Sequence, residues 1–164
     1  MTLIRQADGT YRLHRSRTAI AESDVLAAAE DILRLRLERQ GTVARPSDAI
    51  DFFRARIGHL SHEEFHVLWL DNRHRVLGAD KLFNGTLDGT AVYAREVVRR
   101  ALQINAAAAV LAHNHPSGVA EPSESDRRIT TELREALSLI GVRVLDHLVV
   151  GAGASVSMAE RGSL

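Results

Sequence analysis

Apolar and polar positions alternate along this chain in two periods, and the switches between them mark out the elements. Val25, Ala28, Ala29, Ile32 and Leu33 form one stripe at helical spacing. Ser23 is placed to cap that helix and Gly41 to stop it near Gln40, although Leu33, Leu35 and Leu37 also alternate like a strand. Ser47 is expected to cap a second helix to about Arg56, with Asp48 and Asp51 in its first turn at the positive end of the dipole. Phe65 to Leu70 reads as a strand, Asp71-Asn72-Arg73-His74 as a hairpin turn, and Val76 to Phe83 as the partner strand, ended by Asn84-Gly85. Val97, Val98, Ala101, Leu102 and Ile104 give a helix over Val92 to Asn105. Ala106 to Ala112 is a small apolar run expected as a buried strand that delivers His113 at its end. Ser125-Asp126 opens a helix to about Leu139, stopped by Gly141, and Val142 to Val150 is a last strand broken at Asp146-His147. Residues 1 to about 20 lack apolar periodicity and read as a loose arm or a strand that pairs only in an assembly. The sum is an α/β domain, a mixed sheet flanked by helices, over residues 43–164, preceded by an arm and helix over residues 1–42.

Composition narrows the function classes. The chain has 164 residues, 45% of them hydrophobic, enough for one compact core. It has no cysteine, so disulfides are excluded and a zinc ion would have to be held by histidine and carboxylate. No apolar run approaches the roughly 20 residues that span a bilayer, and no signal-peptide apolar region stands at the start, so a cytoplasmic location is expected. Twenty-one basic residues balance 21 acidic ones, which gives no electrostatic reason to seek nucleic acid. Residues 1–60 hold ten Arg against eight Asp plus Glu, too small an excess for a nucleic-acid arm.

The chemistry concentrates in His113-Asn114-His115-Pro116-Ser117-Gly118, followed by Ser123 and Asp126. In an extended segment, histidines two apart point to one side and can share a metal. Asp126 supplies a third ligand, and two nitrogens with one carboxylate leave a tetrahedral position for water, the arrangement of a hydrolytic zinc site. A helix dipole at Asp126 favours the ionised state that a metal requires. The blander readings are turn or capping roles for the histidines, an N-cap role for Asp126, and a turn role for Ser123.

His-x-His, seven residues, Ser, two residues, Asp resembles the JAMM motif of the MPN/JAB metalloprotease superfamily. With Pro122-Ser123 and Leu145-Asp146-His147, the stretch resembles more narrowly the bacterial RadC branch. The resemblance runs from about Pro46 to Gly162 through Glu63-Glu64-Phe65, Leu70-Asp71, Gly85-Thr86, Arg95-Glu96 and Asn105-Ala106-Ala107. One departure is Ala94, where proline is usual; both residues suit a first helical turn. The first forty-odd residues lack the glycine hairpins of a helix-hairpin-helix segment, so a short RadC-like form is expected.

The resemblance implies the JAB/MPN, cytidine-deaminase-like fold, a zinc cofactor on His113, His115 and Asp126, and an upstream glutamate as general base. Glu63 and Glu64 both qualify; the family pattern places the base two residues before an aromatic, which selects Glu63 ahead of Phe65, and only one of the pair can face the site. By the same resemblance Ser123 stabilises an oxyanion. His147 is read either as a partner that orients a zinc ligand or as a structural histidine. His14, His59, His62, His66 and His74 are read as surface or packing residues, Trp69 as core, and Arg99-Arg100 as a solvated helix face. The activity implied is zinc-dependent hydrolysis of a peptide or isopeptide bond in a peptide or protein substrate. The rival readings are a DNA-repair-associated factor acting on or with nucleic acid, and a non-catalytic binding module; a homodimer through residues 1–20 is a further expectation.

Overall fold

The structure, a computed structural model, describes residues 3–5, 11–13, 25–30, 32–33, 42–43, 45–85 and 92–164. Strands β1 (Leu3–Arg5) and β2 (Tyr11–Leu13) pair antiparallel with Leu3 opposite Leu13, so the strand character of the arm is met within the chain rather than by an assembly. Residues 25–30 and 32–33 are helical, while Ser23, Gln40 and Gly41 lie outside the described residues, as does His14.

Helix α1 (Pro46–Ile57) begins two residues earlier than a Ser47 cap would place it. Proline at its first position needs no hydrogen-bond donor there, and Asp48 accepts the Arg45 N–H at 3.1 Å. Strands β3 (Glu64–Leu70) and β4 (Val76–Asn84) form the expected hairpin. Asp71 Oδ1 closes the turn by accepting the N–H groups of Arg73 and Arg75, and His74 takes the left-handed conformation at φ 58°. Helix α2 (Ala94–Ile104) ends at Asn105, also left-handed at φ 55°.

Strand β5 runs Ala108–Asn114, two residues later than the apolar run implied, which puts His113 inside the strand rather than just beyond it. Pairing explains the shift: β5 lies between β3 and β6, with His113 opposite Phe65 on one side and Val149 on the other. Helix α3 (Glu124–Ser138) is the crossover to β6 (Arg143–Val150), which runs parallel to β5. A strand β7 (Ser155–Ser157), absent from the sequence reading, pairs antiparallel with β6. The sheet order is β4-β3-β5-β6-β7.

Asp146-His147 does not break β6. The ladder instead slips by one residue: Ala109 faces Val144 but Val110 faces Asp146, so Leu145 is bulged out. Because side chains alternate with period two, this single extra residue turns His147 onto the face that carries Leu111 and His113.

Both faces of the sheet are covered, and β3 and β5 are buried along their whole lengths. On one face Ala49, Phe52, Phe53 and Ile57 of α1 pack on Leu68, Leu70, Val110 and Ala112. On the other, Val97 and Ala101 of α2 and Leu133 and Leu137 of α3 pack on Phe65, Val67, Trp69 and Leu111. Trp69 is core as expected, with its indole N–H donated to Asp80 at 2.8 Å. Arg100 departs from the expectation of a solvated face: its Nε donates to Asp80 at 2.6 Å and ties α2 to β4, whereas Arg99 pairs with Glu96 on the surface. Among the described residues no helix is long and apolar enough to cross a membrane.

Candidate metal centre

Three elements bring the motif together. Strand β5 carries His113, the loop after it carries His115, and the first turn of α3 carries Asp126. The loop is held against the end of β6, where the His115 N–H donates to the Val150 carbonyl at 2.9 Å. Gly118 takes φ +83° and its carbonyl rests on Gly151, where a Cβ would stand only 2.3 Å from that oxygen. Backbone approach this close needs glycine at position 151.

His113 Nε2 lies 3.0 Å from His115 Nε2 and 3.2 Å from Asp126 Oδ1, and His115 Nε2 lies 3.4 Å from Asp126 Oδ2. One ligand atom from each residue falls within 4.8 Å of the others, so this buried cluster can hold a metal ion. The three residues that the sequence spacing singled out are thus brought together by the fold.

Hydrogen bonds behind the rings set which nitrogens carry protons. His115 Nδ1 is 2.8 Å from the Val119 carbonyl, an acceptor only, so the proton sits on Nδ1 and the Nε2 lone pair faces Asp126. The Thr130 hydroxyl donates to the Asp126 carbonyl and therefore accepts from His147 Nδ1 at 2.6 Å. Burial, reinforced by the neighbouring His113, pushes the His147 pKa well below the ordinary imidazole value and keeps the ring neutral. Its Nε2 then accepts from His113 Nδ1 at 2.8 Å, which turns the His113 Nε2 lone pair toward the cluster as well. Two lone pairs and a carboxylate thus converge, an arrangement that repels itself unless a cation stands between them. Without a metal a proton takes that part, and the Asp126 carboxylate accordingly raises the His115 pKa. Burial would raise the Asp126 pKa, but His113 and His115 outweigh it and hold the carboxyl far below its usual range, in the state a metal needs.

His147 thus meets His113 as the first of its two sequence readings requires, while Thr130 was missed; a threonine on a helix four residues after a candidate ligand has no distinguishing signal in one sequence. Replacing Thr130 by Val should weaken metal binding by about 10- to 100-fold, measured by competition with a chelator. Affinity equal to wild type would show that the chain Thr130-His147-His113 orients nothing.

Ser123 is the N-cap of α3. Its Oγ accepts the Asp126 N–H at 3.1 Å and donates to Asp126 Oδ2 at 2.7 Å, and its own N–H donates to the same oxygen at 2.7 Å. The helix opens there rather than at Ser125-Asp126.

A cavity of about 840 Å³ lies over the cluster, lined by Glu63, His113, His115, Ser123 and Asp126, with Phe65, Val92 and Ile129 as its apolar wall. Glu63 and Glu64 part company here, as strand alternation requires. Glu64 points to the α1 face, where His66 at 2.8 Å, His62 at 2.9 Å and Lys81 at 3.0 Å surround its carboxylate. Burial would raise its pKa, but these three partners lower it to about 2. His66 is itself buried, and its Nδ1 accepts from Arg56 at 3.2 Å. His62 and His66 are thus partners of Glu64 rather than mere surface or packing groups.

Residues 43–163 match the RadC-like JAB domain family. Relatives named only UPF0758 protein include one from Marinobacter nauticus, 54% identical over 143 residues, covering 85% of this chain and 64% of the relative. One from Stutzerimonas stutzeri is 55% identical over 127 residues, 77% of this chain and 57% of the relative. One from Vibrio cholerae is 52% identical over 143 residues, 87% of this chain and 90% of the relative. The chain thus spans less than two thirds of the length of the first two.

Proposed function

This chain belongs to the RadC-like JAB domain family, and from that premise we propose that it is a zinc-dependent hydrolase of the JAMM metallopeptidase type, acting on a peptide or isopeptide bond. The observation that carries this reading is the convergence of His113 Nε2, His115 Nε2 and the Asp126 carboxylate on one point, beneath a cavity that also presents Glu63. The donor spacings of 3.0, 3.2 and 3.4 Å compare with about 3.3 Å for donors about 2.05 Å from a tetrahedral zinc. The donor set, two imidazoles and one carboxylate without thiolate, is that of hydrolytic zinc sites.

Zinc bound here would polarise a carbonyl and lower the pKa of its water to about 7. The protein's residues do the rest. Glu63 takes the proton that the attacking water gives up and returns it to the leaving amine. The Ser123 hydroxyl turns from Asp126 Oδ2 to donate to the oxygen on which charge develops, and Asp126 keeps the Ser123 N–H as its partner through the turn. The Thr130-His147 pair holds the His113 ring, and Phe65 and Ile129 limit water on the apolar side. Balanced charge gives the nucleic-acid reading no support of its own.

Metal content tests the proposal, on protein purified without added metal or a histidine tag. Near one zinc per chain is expected, lost in His113→Ala and Asp126→Ala and kept in Glu63→Gln. A folded wild type that takes up no zinc when zinc is offered would sink the hydrolase reading and leave the binding module in front.

A further inference from the structure

We infer that Asn114 is a positioning residue for Glu63, clamping the peptide groups on both sides of it from behind the metal site. The inference rests on the reading of Glu63 as the base. Asn114 stands between the two histidines in sequence, and strand alternation sends its side chain to the opposite face, where it is buried to 2% exposure. There Nδ2 donates to the His62 carbonyl at 2.9 Å and Oδ1 accepts the Glu64 N–H at 2.8 Å. Those two groups belong to the residues immediately before and after Glu63. The backbone pairing of β3 with β5 reaches Phe65 opposite His113, and the Asn114 amide extends it by one more step, side chain standing in for strand.

Other bonds hold the same segment. The Glu63 carbonyl accepts the Gly85 N–H at 2.7 Å, and the Glu64 carboxylate is tied to His62, His66 and Lys81. With both neighbours anchored on the α1 face, Glu63 is presented to the cavity. The end of β5 and the residue just beyond it thereby supply two candidate ligands on the front and the register of the base on the back, so three consecutive residues, His113, Asn114 and His115, tie the base to the candidate ligands.

Only a carboxamide of this length fits both partners. Aspartate in its place would set an acceptor against the His62 carbonyl, serine is too short to span the two groups, and leucine offers neither function. A base displaced by about 1 Å loses on the order of 10²-fold in rate, the effect expected from removing the clamp.

Two measurements on the full chain need no substrate. The first is amide hydrogen exchange in metal-free protein: Asn114→Ser should speed exchange of the Glu64 amide at least tenfold while the Val67 and Trp69 amides of the same strand keep their wild-type rates. The second uses cobalt(II) as the metal probe and follows its visible absorption against pH. Removing the carboxylate in Glu63→Gln shifts the midpoint, and Asn114→Ala and Asn114→Asp should shift it the same way, with no further shift in Asn114→Ala/Glu63→Gln. Asn114→Ser with unchanged Glu64 exchange, or cobalt-loaded Asn114 variants that titrate like wild type while Glu63→Gln does not, overturns the inference alone. A wild type that binds no cobalt and no zinc overturns the zinc reading, and this inference with it.

Discussion

Glu63→Gln should lower hydrolysis of a peptide substrate by about 10²- to 10⁴-fold while zinc content and thermal midpoint stay at wild-type values. Glutamine keeps the shape of the side chain and removes its ability to take a proton, so the loss falls on the chemical step. The neighbouring carboxylate is the control. Glu64 lies against His66, Lys81 and His62, and these partners lower its pKa to about 2 despite its burial, which makes it a poor proton acceptor at neutral pH. Glu64→Gln should therefore cost stability first and turnover only secondarily. Steady-state kinetics of the two variants on one substrate separates them: full activity in Glu63→Gln, with loss confined to Glu64→Gln at unchanged fold, would reverse the assignment of the base.

The same buried array predicts a marked acid sensitivity of the fold. Burial pushes the His66 pKa from 6.5 down to about 4, the opposing pull of Glu64 being smaller. Between those values the unfolded chain binds more protons than the folded one, so stability rises with pH and is lost as pH falls from about 6.5 to 4. Glu64 acts with the same sign in a lower window, from its ordinary 4.5 to about 2, because protonation removes the anion that His66, Lys81 and His62 bind. Each group is worth on the order of 2–3 kcal/mol across its window. Urea denaturation of metal-free wild type and His66→Gln at pH 7, 5.5 and 4 measures the first window. The stability difference between the two proteins should change by that amount over the range; parallel pH dependence would show that His66 is not the group responsible.

Much of the site was legible in sequence because its parts are short-range. His113 in β5 and His115 one residue beyond its end need only an extended segment to face one way, and Asp126 needs only a helix to begin nearby. Choosing Glu63 over Glu64 rested on the family pattern; the structure gives each carboxylate a distinct face, with Glu64 held by Lys81 and two histidines. The hairpin at Asp71–His74 and the helices were visible for the same local reason. Ser123 was read for chemistry first, and the fold shows it capping α3, because the helix starts at Glu124, slightly nearer the motif loop than the Ser125-Asp126 start expected from sequence.

By itself, then, the sequence determined the identity of the chemical groups, the period of each element and the family of the fold, since these depend on residue type and on neighbours within a turn or a strand. Tertiary structure alone decided how distant groups meet. A bulge at Leu145 is invisible in Val142 to Val150, because it exists only as a mismatch between β6 and β5, yet it turns His147 onto His113. Thr130 becomes the partner of His147 only when α3 crosses over the parallel pair, and Asn114 meets His62 and Glu64 only because β3 lies beside β5. Each of these contacts joins residues 17 to 52 positions apart, and pairing register, not local preference, chooses the partners of such groups.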